Sequence, residues 1–94
     1  MEKHSKTKTS FYRRIYLAYL IDSGVNTVPA IIEATGMPRR TAQDTLIAMK
    51  ELGIECEFVG ANKDGGYRIK DWGAVNSEWV REHLGVIKGV LGYL

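Results

Sequence analysis

The residues best suited to contact a ligand lie at the start of one predicted helix. Arg39, Arg40, Thr41 and Gln43 follow Pro38, whose missing N–H is harmless in the first turn of a helix. Cations there oppose the helix dipole by about 0.3–1 kcal/mol each, and a negatively charged partner would reverse that penalty. Arginine can bond O6 and N7 of guanine together, and glutamine can do the same on adenine. The cluster therefore indicates contact with nucleic acid. Two solvated arginines at an exposed turn are the alternative.

Thr41 and two further polar side chains of the same helix, Asp44 and Lys50, can also contact DNA. Thr41 and Lys50 are candidates for phosphate contacts, which position a protein on DNA without reading its sequence. Asp44 can accept a hydrogen bond from cytosine N4, or it can pair with Arg40 one turn earlier. The ion pair is the favoured interpretation for Asp44.

The sequence holds no arrangement typical of catalysis or metal binding. His4, His83 and Cys56 are its only imidazole and thiol side chains, and they share no metal-ligand spacing. No Ser-His-Asp set, Walker loop or Gly-x-Gly-x-x-Gly motif occurs. Cys56 alternates with Ile54 and Phe58, which indicates a small core residue, with a redox-sensing thiol as the alternative. We expect neither an enzyme nor a cofactor or metal.

Length and composition indicate one globular domain. The chain has 94 residues, of which 45% are hydrophobic and 26% are charged. No run of 18 apolar residues occurs, so no membrane span is expected, and the N-terminus lacks the apolar h-region of a secretory signal. A single cysteine suits a reducing cytoplasm. Net charge is +2, but residues 1–14 carry +4 and residues 15–94 carry −2. Nucleic-acid binding must therefore come from local patches.

The first part of the chain predicts an arm and one helix. Residues 1–9 are polar without a period, which predicts a flexible basic arm or a solvated tail. Ser10 can cap a helix over residues 11–22, whose second half is apolar on nearly every side. Either the domain itself or a second subunit must cover such a helix on more than one side.

A short helix, a tight turn and a longer helix follow. Thr27 can cap a helix over residues 28–35, and Gly36 ends it. The next helix covers residues 38–52, with a buried stripe of Ala42, Leu46, Met49 and Leu52. The residues that lie away from this stripe are Arg39, Arg40, Gln43, Asp44, Ile47 and Lys50.

The pattern then changes from helical spacing to strict alternation. Residues 54–59 and 67–72 alternate, and the loop between them is rich in turn residues. The sequence therefore predicts a β-hairpin. Two acids of its first strand can pair with two cations of its second, namely Glu55, Glu57, Arg68 and Lys70.

The last predicted helix covers residues 77–92, with Asn76 or Ser77 as its cap. Its apolar stripe recurs at helical spacing and comprises Val80, Leu84, Ile87, Leu91 and Leu94. Gly85, Gly89 and Gly92 recur at i, i+4 and i+7 in the same helix. Each costs about 1 kcal/mol relative to alanine, which indicates the close approach of another backbone. We expect a homodimer interface here, and packing on the first helix of the same chain is the alternative.

Residues 10–72 resemble the small bacterial winged helix-turn-helix DNA-binding proteins. The resemblance rests on TVPAIIEATGMPRRTAQDTL (residues 27–46) and ELGI (residues 51–54), followed by the hairpin. It is similar to the core of the multiple-antibiotic-resistance-type repressors. It implies an α+β, mostly helical fold with a three-helix core, a hairpin wing and an additional C-terminal helix. The predicted organisation is a basic arm, a winged domain and a dimerisation element at residues 1–9, 10–75 and 76–94.

The resemblance also implies a binding mode. The third helix lies in the major groove, the wing tip with Lys63 meets the minor groove or the backbone, and the basic arm trails into a minor groove. Asp64 weakens the charge of the tip, and whether Glu55 and Glu57 neutralise the wing cations stays open. The candidate DNA contacts are Arg39, Arg40, Thr41, Gln43, Asp44, Lys50, Lys63, Arg68, Lys70, Lys6 and Lys8.

These observations favour a sequence-specific DNA-binding regulator of transcription. We expect a cytoplasmic bacterial homodimer that represses by occupying an operator, with double-stranded DNA as partner and no membrane contact. The alternative is a winged helix that binds a protein partner, which the weak overall charge and the acidic wing favour. A small-molecule effector, for example between Trp72 and Trp79, is not expected.

Overall fold

The computed structural model describes residues 4–61 and 63–93. The elements in chain order are α1 (Lys6–Asp22), α2 (Val28–Thr35), α3 (Arg39–Ala48), β1 (Glu55–Val59), β2 (Gly66–Asp71), α4 (Ser77–Glu82) and α5 (Leu84–Leu91). A short 3-10 helix, Met49–Leu52, continues α3. The predicted α+β, mostly helical architecture is confirmed.

The first helix begins earlier than the sequence predicts. Ser5, not Ser10, is the N-cap, and its Oγ accepts a hydrogen bond from the Lys8 N–H at 3.0 Å. The predicted start at residue 11 is therefore wrong. Lys6 and Lys8, assigned to the arm, are helical, because one capping serine suffices to start a helix without an apolar stripe. The first three residues of the predicted arm lie outside the described residues.

The helix-turn-helix follows the predicted local signals. Thr27 Oγ1 accepts from the Ala30 N–H at 3.2 Å, and Gly36 ends α2 at φ 75°, a conformation that suits glycine. The turn carries the chain through buried Met37 to Pro38, the N-cap residue of α3. The predicted helix over residues 38–52 differs in two details, because Pro38 is the extended N-cap residue and not the first helical residue, and because the last turn is the 3-10 helix.

The hairpin is antiparallel, and its register pairs Cys56 with Ile69 and Phe58 with Tyr67. The strands lie within one residue of the predicted segments at each end. Gly73 follows the hairpin at φ 61°, and a Cβ there would overlap the Gly53 carbonyl. The two backbones therefore touch where the hairpin joins the helical body, which only glycine allows.

The predicted single C-terminal helix is wrong in one respect, because it is interrupted at His83. Asn76 Oδ1 accepts from the Trp79 N–H at 3.1 Å and caps α4, as predicted. His83 leaves helical geometry at φ −118° and ψ 24°. Its ring stacks on Trp79 at 4.1 Å between centroids, and its Nδ1 lies 2.7 Å from the Trp79 carbonyl oxygen. Gly85, a weak helix former, lies just beyond the break.

Two apolar clusters lie on different sides of α1. One joins α1 to the helix-turn-helix and the strand entry and comprises Leu17, Ala18, Ile21, Ile31, Met37, Ala42, Met49 and Ile54. The other joins α1 to α4 and α5 and comprises Ile15, Tyr16, Leu20, Val80 and Ile87. Within the described residues the domain itself therefore covers α1, which was one of the two predicted possibilities.

One carboxylate at the end of α1 links the hairpin to the C-terminal helices. The Trp72 indole N–H donates to Asp22 Oδ2 at 3.3 Å, and Arg81 Nη2 donates to the same oxygen at 2.8 Å. The hairpin and α4 are thus both tied to α1 at one atom.

Candidate nucleic-acid interface

The outward face of α3 carries the residues that the sequence predicted to be exposed. Its inner face buries Ala42 and Thr45, and Met49 continues that face. Thr41 is half-buried. The exposed positions, at helical spacing, are Arg39, Arg40, Gln43, Asp44 and Ile47. The structure therefore gathers the two arginines and the glutamine on one accessible surface.

The N-terminus of α3 adds a favourable site for negative charge. Pro38 is its N-cap residue, and in the described residues no side chain caps the helix and no acid lies in its first turn. Unpaired N–H groups and the positive end of the dipole both favour an anion there. Arg39 and Arg40 lie in the same turn, so the whole end of the helix is positive.

The predicted ion pair between Arg40 and Asp44 does not form among the described residues. Arginine four residues before an acid is the less favourable orientation for such a pair, which contributes only about 0.2–0.5 kcal/mol. Asp44 instead lines a groove between α1 and α3 of about 320 Å³.

Two arginines of α1 lie along this groove, which we call the α1 groove. It is lined by Ser10, Arg13, Arg14, Thr41, Asp44, Thr45 and Ala48. Arg14 Nη1 lies 3.6 Å from Glu51 Oε2, and Arg13 makes no ion pair in the described part of the chain. Neither arginine was among the site residues predicted from the sequence. Their signal was the spacing of Lys6, Ser10, Arg13 and Arg14, which share one face once the helix starts at Lys6.

A second cleft, which we call the wing cleft, separates α3 from the hairpin. It has a volume of about 350 Å³ and is lined by Gln43, Leu46, Ile47, Lys50, Cys56 and Tyr67. Lys50 is exposed there and adds positive charge beside Gln43. The two clefts thus lie on opposite sides of the exposed face of α3.

The sequence left open whether acids neutralise the cations of the wing, and the structure shows that one acid partly does so. Arg68 Nη2 and Lys70 Nζ each lie 3.8 Å from a carboxylate oxygen of Glu57. Glu55 stands opposite Asp71 in the register and joins no ion pair among the described residues. Lys63 is exposed near the tip.

Lys6 and Lys8, two of the three lysines of the predicted arm, lie on different sides of α1, and Lys3 is outside the described residues. Lys6 precedes Ser10 by one turn and lies on the face of α1 that leads to the α1 groove. Lys8 Nζ lies 5.6 Å from the centre of the Tyr12 ring, which itself packs on Trp79 of α4. Lys8 is therefore on the side of the C-terminal helices, away from α3.

Cys56 is half-buried in the wing cleft, as its alternation predicted. Burial raises the pKa of its thiol, and the nearby Glu57 charge adds to the rise, while a backbone hydrogen bond opposes it. In the described residues no group of acids, histidines and cysteine could hold a metal ion. No described helix combines the length and the apolar character that a membrane span requires.

The predicted dimer stripe packs largely inside its own chain. Val80 and Ile87 are fully buried against α1, and Leu84 and Leu91 are half-buried. Gly85 and Gly89 are exposed, and a Cβ at Gly85 would meet open space. Leu94 lies outside the described residues. The packing on α1 matches the alternative that the sequence offered.

A family profile described as winged helix-turn helix matches residues 6–91. The chain belongs to this winged helix-turn-helix family. α2 and α3 are its helix-turn-helix, and the hairpin β1–β2 is its wing, which confirms the fold predicted from the sequence.

One solved structure agrees with this assignment over nearly the whole chain. It is a DUF2131 family protein from Shewanella amazonensis SB2B, 39% identical, with a TM-score of 0.90 and 96% of each chain covered. A comparison with curated proteins finds no match.

Proposed function

We propose that this winged helix-turn-helix protein binds double-stranded DNA sequence-specifically through α3 and thereby regulates transcription. The observation that carries the proposal is the exposed, uncapped N-terminal half of α3, with Arg39, Arg40 and Gln43 on its surface. An α-helix fits the major groove, where arginine reads guanine and glutamine reads adenine.

Basic residues on both sides of α3 support this binding mode. Arg13 and Arg14 line the α1 groove, and Lys50 lines the wing cleft. Cations on each side of a reading helix suit the two phosphate backbones that border a major groove. Further proposed contacts, in decreasing order of support, are Thr41, Lys6, Lys63, Arg68, Lys70 and Asp44. Lys8 has the least support, because it lies beside α4.

We also propose a homodimer that acts as a repressor in a bacterial cytoplasm. One winged domain reads few base pairs, so a two-fold dimer on half-sites one or two helical turns apart is expected. Val80 and Ile87 are buried within the chain, so this interface uses the outer side of α5, with Gly85, Val86 and Gly89. Membership of the multiple-antibiotic-resistance type stays a prediction.

The test is a titration of the protein onto a pool of random duplexes at several salt concentrations, followed by selection of the preferred sequence. The double variant Arg39→Ala/Arg40→Ala should lose the selected duplex by at least about tenfold, because each base-reading arginine contributes roughly 1–3 kcal/mol of discrimination. Circular dichroism should stay unchanged, since both side chains are exposed.

Two controls make the result specific. Arg39→Lys/Arg40→Lys keeps the charge but lacks the planar fork, so it should keep non-specific binding and lose sequence preference. Lys88→Ala removes one charge from α5, away from α3, and should leave binding unchanged. If the wild-type protein binds no duplex even at low salt, the proposed function is refuted.

A protein-interaction module is the second candidate. It is favoured by the wing, where Glu57 holds both cations of β2 and where Phe58 and Val59 are 47% and 45% exposed. Apolar side chains beside neutralised cations suit a protein surface better than a phosphate backbone. Under this hypothesis Phe58→Ala would impair partner binding, while Arg39→Ala/Arg40→Ala would leave it intact.

A further inference from the structure

The most exposed large apolar side chain of the described residues lies on α3 itself. Ile47 is 68% exposed, more than any other large apolar residue that the structure describes. It follows Gln43 by four residues and Arg40 by seven, so all three share one face of the helix. A single exposed apolar residue is ordinary on a protein surface. This one, however, lies on the face that is proposed to enter the major groove.

The surroundings of Ile47 make it part of a mixed reading surface. Ile47, Gln43 and Lys50 line the wing cleft together. Leu46 and Tyr67, which are half-buried, line the same cleft. An amide that reads a polar edge is therefore adjacent to a branched apolar side chain. Lys50 supplies positive charge at the same place, which suits a nucleic acid better than an apolar protein partner.

Base edges in the major groove offer one apolar group for such a side chain. Thymine carries a C5 methyl group there, whereas adenine presents N7 and N6, which glutamine can bond. An A·T pair, or two neighbouring A·T pairs, would therefore satisfy Gln43 and Ile47 together. A guanine or cytosine edge would leave Ile47 against polar atoms.

We propose that Ile47 determines specificity by packing on the C5 methyl of a thymine, so that the half-site contains an A·T pair beneath Gln43 and Ile47. This inference rests on the proposed function. It adds an apolar contact to the polar contacts already assigned to α3.

The test removes the methyl group alone. Each thymine of the selected duplex is replaced in turn by deoxyuridine, and Kd is measured for wild type and for Ile47→Ala. Wild type should lose about fourfold at one position in each half-site, the change that corresponds to burial of roughly one methyl group. Ile47→Ala should bind the thymine duplex about fourfold or more weakly, and it should be indifferent to deoxyuridine at that same position.

Phe11→Leu is the control. Phe11 is a 37% exposed apolar residue of α1 that lines a groove with Trp79 and Val80 of α4, so this variant should keep the full sensitivity to deoxyuridine. Equal thermal stability of Ile47→Ala and wild type shows that the effect is not one of folding.

The outcomes separate the two proposals. If wild type binds a selected duplex but no thymine is sensitive to deoxyuridine, or if Ile47→Ala retains that sensitivity, the assignment of Ile47 is wrong and the proposed function survives. If no duplex binds at all, both are wrong. The assignment is supported if wild type and the control variant are sensitive to deoxyuridine at one position and Ile47→Ala is not.

Discussion

The cations on the two sides of α3 differ in their ion pairing. On the α1 side, Arg13 makes no ion pair among the described residues, and Arg14 meets only the exposed Glu51 at 3.6 Å. On the wing side, one acid, Glu57, approaches both Arg68 and Lys70. The side supplied by a helix therefore presents one cation, Arg13, that has no ion-pair partner among the described residues, whereas both cations of the hairpin share one acid.

Under the proposed function, this difference predicts different tasks for the two sides. An unpaired cation on a rigid helix favours phosphate contacts and hence affinity. The wing side combines partly neutralised cations with Gln43, Ile47 and a half-buried cleft, which favours recognition of a base edge over charge. We expect the salt dependence of binding to arise mainly at α1 and the sequence dependence mainly at α3 and the wing cleft.

The largest expected effect comes from disturbing the point where the hairpin joins the helical body. In Gly73→Ala the new Cβ would overlap the Gly53 carbonyl, in a backbone conformation that alanine rarely adopts. We expect a loss of unfolding free energy of at least about 1–3 kcal/mol, measured by urea denaturation. Gly36→Ala is the control, since it shares the positive φ but meets no atom within 4 Å. An equal loss in both variants would show that the close approach is unimportant.

The next largest effect tests the α1 side directly. Arg13→Gln/Arg14→Gln should weaken DNA binding by at least about tenfold at 0.1 M salt and reduce the slope of log K against log salt by about 1.8, because each lost phosphate contact removes about 0.9. Arg68→Gln/Lys70→Gln is the matched control. It also removes two positive charges, and it should reduce the slope by less. Equal slopes for the two variants would contradict the proposed division of tasks.

A smaller effect is expected when the ion pairs of the wing are removed. Glu57→Gln leaves Arg68 and Lys70 without their carboxylate, and exposed ion pairs of this kind are worth about 0–1 kcal/mol. We therefore expect affinity for DNA to rise by up to about fivefold, with a steeper salt dependence, in a titration beside wild type. A variant that binds no better would show that the wing cations stay away from DNA even when they are unpaired.

The smallest effect concerns the thiol of the wing cleft. Because burial raises the pKa of Cys56, less thiolate is present at pH 8 than in an ordinary cysteine, and alkylation should be slower. The rate should keep rising as pH increases through the raised pKa. Protein unfolded in urea is the control and should react faster at pH 8. Bound DNA should slow alkylation further if the wing cleft closes on a base edge.

Local signals explain what the sequence predicted correctly. Thr27, Gly36 and Pro38 each impose a conformation on their own neighbours, so the helix-turn-helix could be located from them. Alternation of Ile54, Cys56 and Phe58 similarly located the hairpin. The exposed set on α3 followed from helical spacing alone.

The errors arose where local signals compete or where distant segments meet. Ser5 and Ser10 are equally good caps, and the polar stretch between them carries no apolar period that would favour the earlier start. The break at His83 involves a side chain stacked on Trp79, which spacing does not reveal. The spacing places Arg13 and Arg14 on one face of α1, but it does not reveal that this face packs beside α3.

Asp22, Trp72 and Arg81 are distant in the sequence, but Trp72 and Arg81 both donate a hydrogen bond to the same oxygen of Asp22. Substitutions at these positions will not have additive effects on the free energy of unfolding. The three side chains meet at one oxygen, so the first substitution already alters the contacts of the remaining two. Loss of Asp22 therefore frees the Trp72 indole and the Arg81 guanidinium at the same time, on two elements that otherwise meet α1 through separate apolar contacts.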